Sequence, residues 1–112
     1  MHSILRVEHK DTKQGPYSYY KSDLVNILTD NHCYGDNGYN YPTPEKDIGI
    51  ERDPHSYEFC GFKNISQLRA WFTEEEIDIL KQENFIVKRS SLKDVEVTEV
   101  GERQILFCHK ES

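Results

Sequence analysis

The chain has 112 residues, enough for one domain and too few for two with separate cores, so 1–112 is expected to fold as a single unit. A formal net charge of -6 argues against direct DNA or RNA binding, which rests on Lys and Arg neutralising phosphates, and no stretch approaches the ~18 apolar residues of a membrane span. Apolar residues make up 36% and aromatic residues 12%, which predicts a core of few residues with large buried areas.

The elements follow in chain order. Leu5-Arg6-Val7-Glu8 alternates with the period of a half-buried strand, placing Leu5 and Val7 inward and Arg6 and Glu8 outward. The two charges inside this apolar run exclude a signal-peptide core, so a soluble cytoplasmic protein is expected. Gly15-Pro16 marks a turn, and Ser22 is placed to cap a short helix carrying Leu24, Val25, Ile27 and Leu28 that stops near Asp30-Asn31. From His32 to Asp47 the Gly, Asn and Pro content forbids a long regular element.

Tyr57 to Phe62 alternates aromatic and other residues and reads as a second strand. Asn64 with Gln67 suits the start of a helix whose stripe is Ile65, Leu68, Trp71 and Phe72. Thr73 with Glu76 is a capping box, with Ile77, Ile79 and Leu80 turned inward and Asn84 at the C-terminal end. Phe85 to Lys88 resumes a strand, and Val95 to Thr98 with Gln104 to His109 around Gly101 forms a hairpin. The expected fold is α+β: a mostly antiparallel sheet of about five strands with two or three short helices on one face.

Metal binding is suggested by the pairs His32-Cys33 and Cys108-His109, with His55 and Cys60 between them. Neighbouring residues on a strand point to opposite faces, and the close ligand pairs of a zinc site are missing, so no metal site is expected. Three cysteines without framework spacing fit a reducing compartment without disulfides. Cys60 before Gly61 is the better candidate for a nucleophile, but no base is placed beside it by sequence, and no catalytic residue is assigned. Gly35 and Gly38 flank Asp36-Asn37 as a turn, without the Lys-Ser/Thr of a phosphate loop.

Six of the seven tyrosines fall between Tyr17 and Tyr41 among Gly, Asn and Pro. This composition suits a recognition surface, since Tyr offers rigid amphipathic area and Gly, Ser and Asn an adaptable backbone. The alternative is that Tyr17, Tyr19 and Tyr20 fill a small second core, leaving Tyr34, Tyr39 and Tyr41 better placed for exposure. Tyr34, Asp36, Asn37, Tyr39 and Tyr41 are therefore the expected partner-binding residues. A ligand pocket is also conceivable from His9, Tyr17 and Asp47 with Tyr41, although the same groups could simply pin the loop to the sheet.

Three stretches carry a resemblance: Arg6-Val7-Glu8-His9 leading to Gly15-Pro16-Tyr17; Pro42-Thr43-Pro44 with Asp47-Ile48-Gly49-Ile50; and Cys60-Gly61-Phe62 with Gln67-Leu68 and Trp71-Phe72. Together with Gln104-Ile105-Leu106-Phe107 they resemble a pattern in small, mostly uncharacterised proteins of bacteria and their phages. The resemblance implies an accessory or anti-defence role. The leading expectation is a non-enzymatic module, of phage-inhibitor kind, that binds a host or cognate protein without a cofactor, nucleic acid or membrane. The same aromatic surface would equally serve a homodimer. The alternative is a small nucleotide-binding or ADP-ribosyltransferase-like enzyme with His9 as acid or base. A third class, a mimic of DNA, would show acids in rows at phosphate-like spacing.

Overall fold

The strand expected near the N-terminus runs Ser3–His9 (β1) in the computed structural model, which describes residues 2–19, 21–32, 41 and 43–110. It is followed by α1 (Asp23–Asn31), β2 (Phe59–Gly61), α2 (Ile65–Trp71), α3 (Glu74–Gln82), β3 (Phe85–Ser91), β4 (Val95–Val100) and β5 (Ile105–His109). Short 3-10 turns at Pro16–Ser18 and Pro44–Lys46 each begin on a proline, whose fixed φ favours the first helical position. The fold is α+β. Among the described residues, no helix is long and apolar enough to cross a membrane.

Among the described residues, five strands divide into two antiparallel sheets, β1-β3 and β2-β5-β4. A bridge joins them, in which Leu5 N–H donates to Phe62 O at 2.8 Å and Phe62 N–H to Leu5 O at 2.7 Å. Gly61 permits this approach: a Cβ there would lie 2.7 Å from Leu5 O and 2.9 Å from a ring carbon of Phe107.

The helices begin where the sequence places them. Ser22 accepts from Val25 N–H, Asn64 from Gln67 N–H, and Thr73 with Glu76 forms the full capping box. Gln67 departs from the expected reciprocal cap: its Oε1 accepts from Lys63 N–H, and its Nε2 donates to the carbonyls of Gly101 and Glu102 in the β4-β5 turn. Asn84 follows α3 in the left-handed region (φ 68°), where asparagine is tolerated better than most residues.

Two cores result. The larger packs Leu5, Val7 and Phe85 of β1-β3 against Val25, Leu28, Leu68, Trp71, Phe72 and Leu80 from the helices and their ends. The smaller gathers Ile4, Val95, Ile105 and Phe107. Several expectations need correcting. β1 is covered on both faces, so Glu8 is buried and Arg6 nearly so. β2 is shorter than expected, leaving Tyr57 exposed in a turn. Ile65 in α2 faces outward instead of joining the stripe of Leu68 and Trp71; α1 likewise buries only Val25 and Leu28 of its aliphatic residues.

Candidate functional site

Past the Leu5–Phe62 bridge a cleft of about 610 Å³ opens, bounded by Arg6 and Val7, the turn at Gly15–Tyr17, Tyr41, residues 59–62, and Trp71 with Phe72. A wider trough of about 1320 Å³ lies on β2-β5-β4 between Phe59, Val97 and Val100, as a shallow apolar surface rather than an enclosed site. The narrower cleft has the size and aromatic lining usual for ligand and recognition sites.

One wall is a chain of polar contacts threaded through aromatic rings. Trp71 Nε1–H donates to the Tyr17 hydroxyl oxygen at 2.8 Å, and that hydroxyl is hydrogen-bonded to His32 Nδ1. His32 Nε2 donates to Glu76 Oε2 at 2.6 Å; because a carboxylate only accepts, Nε2 carries a proton. Glu76 Oε1 meanwhile accepts from Thr73 N–H at 2.9 Å, so one carboxylate caps α3 and holds His32. Tyr41 stacks on His32 with ring centroids 3.9 Å apart and meets the Trp71 ring edge-on at 5.4 Å. Partial burial, with Glu76 nearby, raises the Tyr41 phenol above its ordinary value.

The floor carries charge. Arg6 Nη1–H donates to Cys60 O at 2.7 Å, and its guanidinium lies 5.1 Å from the centroid of the Phe59 ring. Burial pulls the Arg6 pKa below its ordinary value, against the opposing pull of Glu8, and burial pushes the Cys60 thiol up. Glu58 has its carboxylate fully matched: Arg52 binds it through two N–H groups at 2.8 and 2.9 Å, His55 N–H donates at 2.7 Å, and the Thr98 hydroxyl also donates. These partners, Arg52 first, hold the Glu58 pKa at about 2.

The residues singled out by sequence fall in different places. Tyr34, Asp36, Asn37 and Tyr39 lie outside the described residues, as does Cys33. Tyr41 is half-buried against the larger core, where exposure was expected, and Tyr17, 39% exposed, lines the cleft with it. His9 is buried elsewhere: its Nδ1 accepts the N–H groups of Asp11 and Thr12 at 3.2 Å, and its ring stacks on Tyr19. Asp47, 1% exposed, accepts Arg103 and Gln104 N–H groups in the β4-β5 turn. Burial raises the Asp47 pKa, against the opposing pull of the amides of Arg103, Gln104 and Glu102. The pocket residues thus have separate sets of partners. Among the described residues, no group of three or more His, Cys, Asp or Glu gathers as for a metal, and Cys60 and Cys108 are free thiols.

Sequence reasoning missed four contributors. Arg6 sits where alternation predicts solvent, Trp71 reads only as core, and nothing in the spacing of His32 and Glu76 announces their pairing. The one available signal was the polar edge of Trp71, since a buried indole N–H needs an acceptor.

Fold and cleft together describe a small α+β protein with an aromatic-lined cleft. The family model described as Bacteriophage T4 Y00F protein matches residues 1–112, and the chain belongs to that family. This bears out the phage side of the resemblance, while the particular residue pattern is not tested by it. No curated protein and no solved structure matches the chain.

Proposed function

We propose that this chain is a phage accessory protein that acts by binding a host protein, as an inhibitor or anti-defence factor, and not by catalysis. The observation that carries the reading is where its polar side chains are spent. His9, Asp47 and Glu58 hold turns, and His32 and Glu76 hold helix ends and the aromatic wall. The accessible side of that wall is tyrosine, Tyr17 with Tyr41, next to the segment that carries Tyr34 and Tyr39. Rigid aromatic area beside adaptable Gly and Asn is the composition of a binding surface.

The test is affinity capture from host lysate with the wild type and the Tyr34→Ala/Tyr39→Ala variant, read by mass spectrometry with folding checked by circular dichroism. Tyr41 stays in place because its ring supports His32 and Trp71. A host protein retained by the wild type and lost by the folded variant is the expected result. Equal capture by both proteins, or no specific capture, overturns the reading.

A further inference from the structure

We propose that the cleft between β1 and β2 is a binding site for a small aromatic oxyanion, a carboxylate or phosphate on a planar ring, with Arg6 as its anchor. This does not depend on the protein-binding reading. The first argument is hydrogen-bond accounting. A guanidinium presents five N–H donors, and among the described residues Arg6 makes one hydrogen bond, from Nη1 to Cys60 O. Its Nε is buried with no hydrogen-bond partner and is held only by an ion pair with Glu8 Oε2 at 3.4 Å. Nη2 lies on the Gly15 side of the cleft, where a Cβ on Gly15 would come within 3.4 Å of it. Buried donors are nearly always satisfied, so an arginine held this way calls for an acceptor.

The second argument is charge. The chain carries a formal net charge of -6, yet the charged side chains lining the cleft are Arg6, Lys13 and Glu58. Glu58 is matched by Arg52, and Glu8 beneath the floor is shared between Arg6 and Lys88, whose Nζ is 3.7 Å from it. The cleft lining therefore carries two cations against one carboxylate in an acidic protein, and its low-dielectric walls strengthen their interaction with a bound charge. The third argument is shape: Tyr17, Tyr41, Trp71 and Phe62 supply flat apolar surface beside the cation, so the ligand needs a ring as well as a charge.

Trp71 is the only tryptophan in the chain and lines the cleft, so its fluorescence reports occupancy. The probes are phenyl phosphate, benzoate, inorganic phosphate and benzyl alcohol, titrated against the wild type, Arg6→Gln and Lys13→Gln. The expected result is saturable binding of phenyl phosphate or benzoate that is at least about tenfold weaker in Arg6→Gln, about threefold weaker in Lys13→Gln, and weakened by added salt. The stronger of the two probes identifies the oxyanion. Lys13 is exposed, so its variant keeps the test decisive if Arg6→Gln fails to fold. The proposal is overturned if benzyl alcohol binds as well as the anions, if neither aromatic anion saturates, if inorganic phosphate binds as tightly as phenyl phosphate, or if both variants bind like the wild type.

Discussion

Replacing Asp47 with alanine should destabilise the fold by about 2–3 kcal/mol, because the carboxylate is the acceptor that closes the β4-β5 turn. Its oxygens take Arg103 N–H at 3.1 and 3.2 Å and Gln104 N–H at 3.1 Å. A hydrogen bond to a charged acceptor contributes roughly 1.5–3 kcal/mol, and the alanine variant leaves two amides without their acceptor, one of them on buried Gln104. Relief from burying the carboxylate, which raises its pKa, offsets part of that loss. For 112 residues, an unfolding entropy of about 0.24 kcal/mol/K converts the net loss into a fall in Tm of about 10 °C, measurable by calorimetry. The neighbouring glycine supplies an internal control. A Cβ on Gly101 would stand 2.3 Å from Asp47 Oδ2 and 2.8 Å from Ile50 Cδ1, so Gly101→Ala should also destabilise. Since Asp47→Ala removes the first of these clashes, the double variant should lose about 1 kcal/mol less than the sum of the singles. A fall below about 3 °C for Asp47→Ala, or strict additivity in the cycle, would refute this account of the turn.

Stability should fall in acid through Glu58. Its folded pKa of about 2 lies below the ordinary 4.5, so its contribution is present above 4.5 and is lost as pH drops from there toward 2. Thermal melts across that window should show a shallower slope for Glu58→Gln than for the wild type, and parallel slopes would count against the Arg52 pairing. Glu76→Ala should cost about 2 kcal/mol in urea denaturation, since it removes both the reciprocal cap on Thr73 N–H and the acceptor for His32. A loss under about 0.5 kcal/mol would mean that neither contact stabilises the protein.

What the sequence displayed well was local. Ser22, Asn64 and Thr73 announce helix starts because a cap and its amide are separated by only three residues. The β4-β5 hairpin is equally visible, since alternation and a turn glycine occupy one short window. What it hid was the cover over β1. Period two assigns Arg6 to the solvent side, but the strand carrying Cys60 crosses over it from 54 positions away, and no local pattern encodes that approach. The same distance problem concealed His32, whose neighbour Cys33 suggested metal ligation, while Glu76 lies 44 positions off and Tyr17 lies 15 away.

The tyrosine-rich segment shows why composition alone could not separate binding from packing. A tyrosine is useful wherever one end must be apolar and the other polar, which describes a recognition surface and equally a core crossed by polar contacts. Tyr17, Tyr19 and Tyr41 serve the second purpose in part. Tyr17 accepts the Trp71 N–H, Tyr19 stacks on His9, and Tyr41 stacks on His32. Phenylalanine at 17 would fill the same space and leave the Trp71 donor buried without its acceptor, so the hydroxyl there has a structural reason. Tyr34 and Tyr39 lie outside the described residues, and their substitution is what separates a binding surface from a second core. Tyr41 stacks on His32 and meets Trp71 edge-on, so a substitution at 41 would mix any change in capture with a loss of packing, which the variant at 34 and 39 avoids.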